Sequence, residues 1–190
     1  MIRLLHPDAR EGVLSVTGAG HHYLVHVHRL EAGDTLELFD GRGASFPARV
    51  KSASADAIEL EVGAAISAPR VREVTVLQGM PKADKLELVV QKASELWASA
   101  VVPVFCERSV VKSSDSDAKK QVRWQKIADE AARQCGRSDV MRVHAPVALK
   151  DALAQTPTLL VLDENEDGRT LSQAVRALGP EAPLALLVGP

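Results

Sequence analysis

A chain of 190 residues that is 46% hydrophobic and 25% charged has the composition of a globular protein, with one large domain or two small ones, and excludes a disordered one. No apolar run reaches the roughly 18 residues that a membrane-spanning helix needs. The opening MIRLLHPDAREG turns polar too early for a secretory signal, so a cytoplasmic location is expected. The net charge of −2 argues against a protein that coats nucleic acid indiscriminately. Residues 70–142 nevertheless hold 14 Lys and Arg against 10 Asp and Glu, while the rest holds 9 against 15. A locally basic middle can follow a phosphate backbone, although solvated helix faces explain so modest an excess equally well.

Up to residue 66 the chain gives short β-type runs broken by turns: VLSV at 13–16, TLELF at 35–39, SFPARV at 45–50 and AIELEV at 57–62. Asp40-Gly41-Arg42-Gly43 between the second and third is a hairpin signal, because glycine takes positive φ at little steric cost. HHYLVHVHRL reads as a short helix stopped by Gly33. Together these predict a small β-barrel over residues 1–66, a plausible binding module. Residues 63–72, GAAISAPRVR, read as a linker.

Over residues 73–190 the texture changes to alternating strands and helices. REVTVLQGM is a strand. Residues 83–97 then place Leu86, Val89, Val90, Ala93 and Leu96 on one helical face, and AVVPVF at 100–105 is a second strand. A long amphipathic helix follows, with Trp124, Ile127, Ala128, Ala131 and Cys135 on one stripe and Gly136 as its stop. After a further short strand come helices near 148–155 and 170–178, separated by TLLVLDE, and finally LALLVGP. Apolar strands without alternation belong to a parallel sheet covered on both faces, so the second domain is α/β.

Motifs that would assign chemistry directly are few. No Gly-x-Gly-x-x-Gly follows a strand, and no phosphate-binding loop of the Gly-x-x-x-x-Gly-Lys type is present. His21, His22, His26 and His28 cluster, but no carboxylate or cysteine nearby completes a ligand set, so surface or packing histidines are favoured over a metal. Cys106 and Cys135 lie far apart and read as cytosolic thiols. Arg137, just beyond Gly136, is the kind of basic residue that complements a helix C-terminus, and Lys82, Lys85 and Lys92 fit a solvated helix face. Polar or glycine-rich turns follow three strands, at Arg108-Ser109, Asp163-Glu164 and Gly189-Pro190. Parallel sheets place functional loops at such ends, which suggests one shared crevice.

Four segments carry a resemblance. HHYLVHVHRLEAGDTLELFDGRG resembles the N-terminal PUA-like barrel of the RsmE-type methyltransferases, and MPKADKLELVVQKASELWASAVVPVFCERSV resembles the start of their SPOUT domain. RWQKIADEAARQCGRSDV is similar to the family's central segment, and LLVGP to the beginning of its Gly-Pro-Glu-Gly-Gly loop. The resemblance implies a homodimeric, metal-free, S-adenosyl-L-methionine-dependent enzyme of the trefoil-knot α/β type. It would methylate N3 of a uridine near the 3′ end of 16S rRNA in the small ribosomal subunit. It also implies that Leu162, Asp163, Glu164, Gly189 and Pro190 line the donor pocket and that Gln134 and Arg137 form the active-site wall. Arg3, Arg29, Lys85 and Arg108 are the expected RNA contacts.

The family pattern continues past Gly-Pro to an Arg-Thr-Glu-Thr-like segment, so residues 1–190 alone are expected to lack a complete donor pocket and activity. A non-catalytic RNA-binding protein is the alternative. Two further departures are Trp97, where a small glycine-type residue is usual, and Met141, where proline is common.

Overall fold

Period-two alternation in the first 62 residues produces a mostly antiparallel sheet. The computed structural model describes residues 1–69, 71–82, 85–107, 117–156, 158–163, 165–179 and 181–189. Two compact units emerge, Met1–Pro69 with Arg133–Val140, and Arg70–Ala132 with Met141–Pro190. The segment 133–140 lies inside the α/β stretch expected over 73–190, yet it groups with the first unit.

In the first unit the strands are β1 (Arg3–Leu5), β2 (Gly12–Thr17), β3 (Thr35–Phe39), β4 (Ala44–Ala53), β5 (Ala57–Val62) and β6 (Ile66–Ser67). Their order is β1-β3-β4-β5-β2, with β6 paired to β4. The Asp-Gly turn forms the expected hairpin, Phe39 facing Ser45 across β3 and β4. Asp40 closes it by accepting from the backbone N–H groups of Arg42 and Ala44 at 2.7 and 3.0 Å. Alternate residues of the strands point inward, and Val16, Leu36, Leu38, Val50, Ile58 and Leu60 form the core with Leu24. Burying each such side chain contributes roughly 1.5–3 kcal/mol.

Two expectations change here. The linker read over 63–72 contributes β6, whose Ile66 and Ser67 pair with Ser45 and Ala44. The helix of residues 18–27 (α1, Gly18–His21, continuing as a π-helical turn over His22–Val27) does not stop at Gly33. It stops at Arg29, which takes φ 55°, while Gly33 at φ 100° belongs to the later turn into β3. A left-handed conformation costs a non-glycine residue roughly 1–2 kcal/mol, most of all a β-branched one. Because Arg29 is exposed, Arg29→Gly is expected to hold or slightly raise the unfolding midpoint. Arg29→Val should lower it, by roughly 1–2 kcal/mol. Urea unfolding of the three proteins checks that order, and a valine variant as stable as the parent would contradict it.

The second unit contains β7 (Val74–Gly79), β8 (Ala100–Phe105), β9 (Arg142–Val143), β10 (Val147–Ala148), β11 (Leu159–Leu162) and β12 (Leu184–Val188), and its pairings are all parallel. Strand order is β10-β8-β7-β12-β11, with β9 also on β8. Helices α2 (Lys85–Glu95), α3 (Asp117–Cys135), α4 (Leu149–Ala154) and α5 (Leu171–Arg176) accompany it. Leu86, Val90 and Ala93 of α2 pack with Val101, Trp124, Ala128 and Met141 into one core. Leu77, Val104, Ala152 and Ala185 form another.

The apolar face of α2 is one residue shorter than its periodicity suggests. Leu96 is 81% exposed because the helix ends at Glu95 and the chain reverses through Trp97 at φ 67°. That is the position at which the sequence lacks its usual small residue. Coverage on both faces also fails at the edge strand β11, where Val161 and Leu162 are 60% and 41% exposed. Helix α5 is fastened by a capping box between Thr170 and Gln173. Among the described residues no helix is long and apolar enough to cross a membrane.

Candidate donor crevice and the segment 133–140

Parallel order places the crevice. From β7 the chain steps to β8 and β10 on one side, then crosses to β11 and returns through β12 on the other. The carboxyl ends of β7, β12 and β11 thus lie side by side, and the carboxyl ends of the strands are where open α/β sheets bind ligands. Register aligns Gln78 of β7 with Val188 of β12, and Val188 with Leu162 of β11. These three strand ends therefore meet one edge, which places Leu162, Asp163 and Gly189 at the same end of the sheet.

Gln78 organises that edge. Its side chain is buried, and the Nε2 amide donates to the carbonyls of Gly79 and Gly189, each at 3.0 Å. One amide thereby ties the end of β7 to the loop leaving β12. A Cβ placed on Gly189 would meet nothing within 4 Å among the described residues. Asp163 turns the chain after β11, its carboxylate accepting from the N–H of Asn165 at 2.9 Å. Lys85 is exposed at the first turn of α2. Arg108, Glu164 and Pro190 lie outside the described residues.

The remaining expected site residues belong to the first unit, where two of them take a different role. Arg137 is fully buried, and its guanidinium makes a bidentate pair with Asp139, Nη2 at 2.6 Å and Nε at 3.1 Å. Arg3 is also buried. It donates to Glu37 at 2.6 Å, to the Arg137 carbonyl at 3.1 Å and to the Ser138 hydroxyl at 3.3 Å, and it lies over the Phe39 ring. Both guanidinium groups are turned inward and charge-matched, so neither is presented to a phosphate and Arg137 does not form a reactive wall. They clamp the segment 133–140 onto β1 and β3. Burial on this scale is invisible in sequence, where Arg137 reads as a helix-end cation. Gln134 and Arg29 are exposed and keep their expected accessibility.

The histidine cluster is built into the fold. His21 is buried with its Nε2 3.0 Å from the Ser54 carbonyl, and its ring meets that of His26 edge-on. Among the described residues no group of three or more His, Cys, Asp or Glu is placed to hold a metal ion.

Toward the amino ends of the strands the second unit has a cavity of about 400 Å³, lined by Thr75, Leu77, Val102, His144, Ala152 and Leu184 among others. Burial, with Arg142 adding repulsion, lowers the pKa of His144 below its ordinary 6.5. A histidine whose folded pKa is depressed stabilises the fold fully above its unfolded pKa, and that stability is lost as pH falls below it. The unfolding midpoint is expected to drop as pH falls below about 6.5, and His144→Gln should flatten that slope. Thermal unfolding across the acid range checks this; an unchanged slope in the variant would contradict it.

With this geometry in place, similarity supplies the family. Residues 68–190 match the RNA methyltransferase domain, and residues 16–63 match the RNA methyltransferase PUA domain. The chain belongs to the RsmE-type RNA methyltransferase family. Among its relatives in that family is ribosomal RNA small subunit methyltransferase E of Bacillus subtilis, 39% identical over 132 residues that cover 68% of this chain and 52% of that protein. The protein of the same description from Mycobacterium bovis is 30% identical over 173 residues, 86% of this chain and 65% of the relative. The chain thus spans about half to two-thirds of the length of these family members. A solved ribosomal RNA small subunit methyltransferase E from Neisseria gonorrhoeae, bound to S-adenosyl methionine, superposes with a TM-score of 0.84 at 25% identity, covering 100% of this chain and 80% of that one. The PUA-like unit followed by a SPOUT-type α/β unit is therefore the family fold.

Proposed function

We propose that the full-length protein is an S-adenosylmethionine-dependent rRNA methyltransferase, acting on N3 of a uridine in the 16S RNA of the small ribosomal subunit. The carrying observation is the edge formed by the carboxyl ends of β7, β12 and β11, with Gly189 held in place by Gln78. Likeness to the donor-bound Neisseria enzyme supports the same reading.

The residues present suit such a donor. Exposed Leu162 offers an apolar surface, the Asp163 carboxylate can accept from ribose hydroxyls, and Gly189, lacking a side chain, lets a ligand approach its backbone. When bound, S-adenosylmethionine supplies a methyl group on a positively charged sulfur, already activated for displacement. The chain must therefore position the base and favour its anion, because neutral N3 still carries its proton and is a poor nucleophile. Amide donors at O2 and O4 would serve that purpose. Arg29 and Lys85, both exposed, are the phosphate contacts in this reading. A homodimer would cover the exposed apolar side chains of Val161 and Leu162, and the rRNA substrate places the reaction in the cytoplasm.

Transfer of labelled methyl from S-adenosylmethionine to small subunits, followed by mass-spectrometric mapping of the 16S RNA, tests the proposal. The expected product is a single N3-methyluridine. Label at another atom, or none with a donor-saturated enzyme, would overturn it. Arg29→Gln and Lys85→Gln should each weaken subunit binding and shallow its salt dependence, since each phosphate contact releases counterions. Unchanged slopes in both variants would remove these two residues from the RNA surface.

A further inference from the structure

The first unit carries a cleft of about 550 Å³ that the proposed chemistry does not use. Tyr23, His28, Asp34, Thr35, Arg133 and Gln134 line it. Its wall is a preassembled stack: the Arg133 guanidinium carbon sits 4.2 Å from the centroid of the Tyr23 ring, and His28 meets that ring edge-on at 4.4 Å. The tyrosine thus holds the guanidinium as a flat plate instead of a mobile cation. Tyr23 and Arg133 are half-buried, while His28 and Gln134 are exposed, so the stack stands at an open mouth.

We propose that this cleft takes one unpaired nucleobase of RNA, stacked on the Arg133–Tyr23 pair. The inference rests on the reading of the protein as an RNA-modifying enzyme and assigns the first unit an RNA contact of its own. Guanidinium planes and aromatic rings are the surfaces on which proteins stack unpaired bases. The rim supplies both hydrogen-bonding senses that a base edge needs, an amide from Gln134, a hydroxyl from Thr35 and the Asp34 carboxylate. That carboxylate is fixed by accepting from the Glu31 N–H at 2.8 Å. A phosphate suits the cleft less well, because Asp34 repels it and the neighbouring Arg3 is already matched by Glu37. A duplex is excluded by the same geometry, since its bases are stacked on each other and cannot enter.

Arg133→Lys keeps the charge and removes the plate, so it separates stacking from simple attraction. Binding of the full-length protein is measured to a short oligouridylate and to the same ribose-phosphate backbone carrying abasic residues, each across a salt series. The parent is expected to prefer the base-bearing strand. Arg133→Lys should lose about tenfold on that strand with an unchanged salt slope, and bind the abasic strand as the parent does. Equal preference in parent and variant would overturn the proposal, and so would free uridine monophosphate competing as well as the strand. Photocrosslinking of a 4-thiouridine strand to the unmutated protein needs no variant to fold: adducts within residues 22–30 or 133–134 support the cleft, and adducts confined elsewhere contradict it. Calorimetry with S-adenosylmethionine on the same samples keeps the two readings apart. Absent donor binding by the parent would count against the methyltransferase proposal, whereas donor binding without base preference would count against the cleft alone.

Discussion

Arg137→Ala is expected to cost roughly 3 kcal/mol of stability and to release the segment 133–140 from the first unit. The guanidinium is fully buried, and its removal strands the Asp139 carboxylate and leaves the largest fully buried side-chain volume empty. Losses on breaking a buried pair run to about 5 kcal/mol; the lower figure applies because Asp139 stays 37% exposed and regains water. Arg3 shares the load from the other side through the Arg137 carbonyl and the Ser138 hydroxyl. The double variant with Arg3→Met should therefore lose less than the sum of the singles. Urea unfolding gives the energies, and hydrogen exchange over residues 133–140 locates the loss. A fully stable Arg137→Ala protein would show that the clamp is dispensable.

Gln78→Leu should weaken S-adenosylmethionine binding by tenfold or more, about 1.4 kcal/mol. The leucine is close in size, so β7 keeps its packing, but the carbonyls of Gly79 and Gly189 lose their shared donor. The loop leaving β12 would then be untied at the point where the ligand needs a fixed backbone. Gln78 acts through that loop and is a positioning residue, so the variant should also speed amide exchange at residues 188–189 without ligand. Calorimetry that finds affinity within about twofold of the parent would show that the tie does not shape the site.

How much of this was legible in the sequence differs by residue. The strands of 13–16, 35–39, 45–50 and 57–62 announced themselves because alternation is set by one buried face, and the Asp-Gly hairpin because its turn demands glycine. β1 escaped notice because three residues carry no period; only its parallel pairing with β3 makes it a strand. The helix stop was misplaced from Arg29 to Gly33 because glycine is the cheaper left-handed residue, and tertiary packing overrode that preference. At Trp97 the anomaly itself was readable: a bulky residue where the pattern favours a small one, now found at φ 67°.

The polar turns after apolar strands were legible because they are local features. Gln78 was not, because one amide inside VTVLQGM looks like tolerance until its partner 111 residues away is known. Arg3 and Arg137 were misread for a related reason. A guanidinium on the surface and one buried against a carboxylate have the same letters, and only long-range packing separates them.

Hydrogen–deuterium exchange of the full-length protein, with and without S-adenosylmethionine, locates the donor site. Donor-dependent protection is expected at residues 78–80, 159–163 and 184–189, in the three strands whose carboxyl ends share one edge, and none in β2 to β5. Protection confined to residues 12–62, or absent at saturating donor, would contradict it.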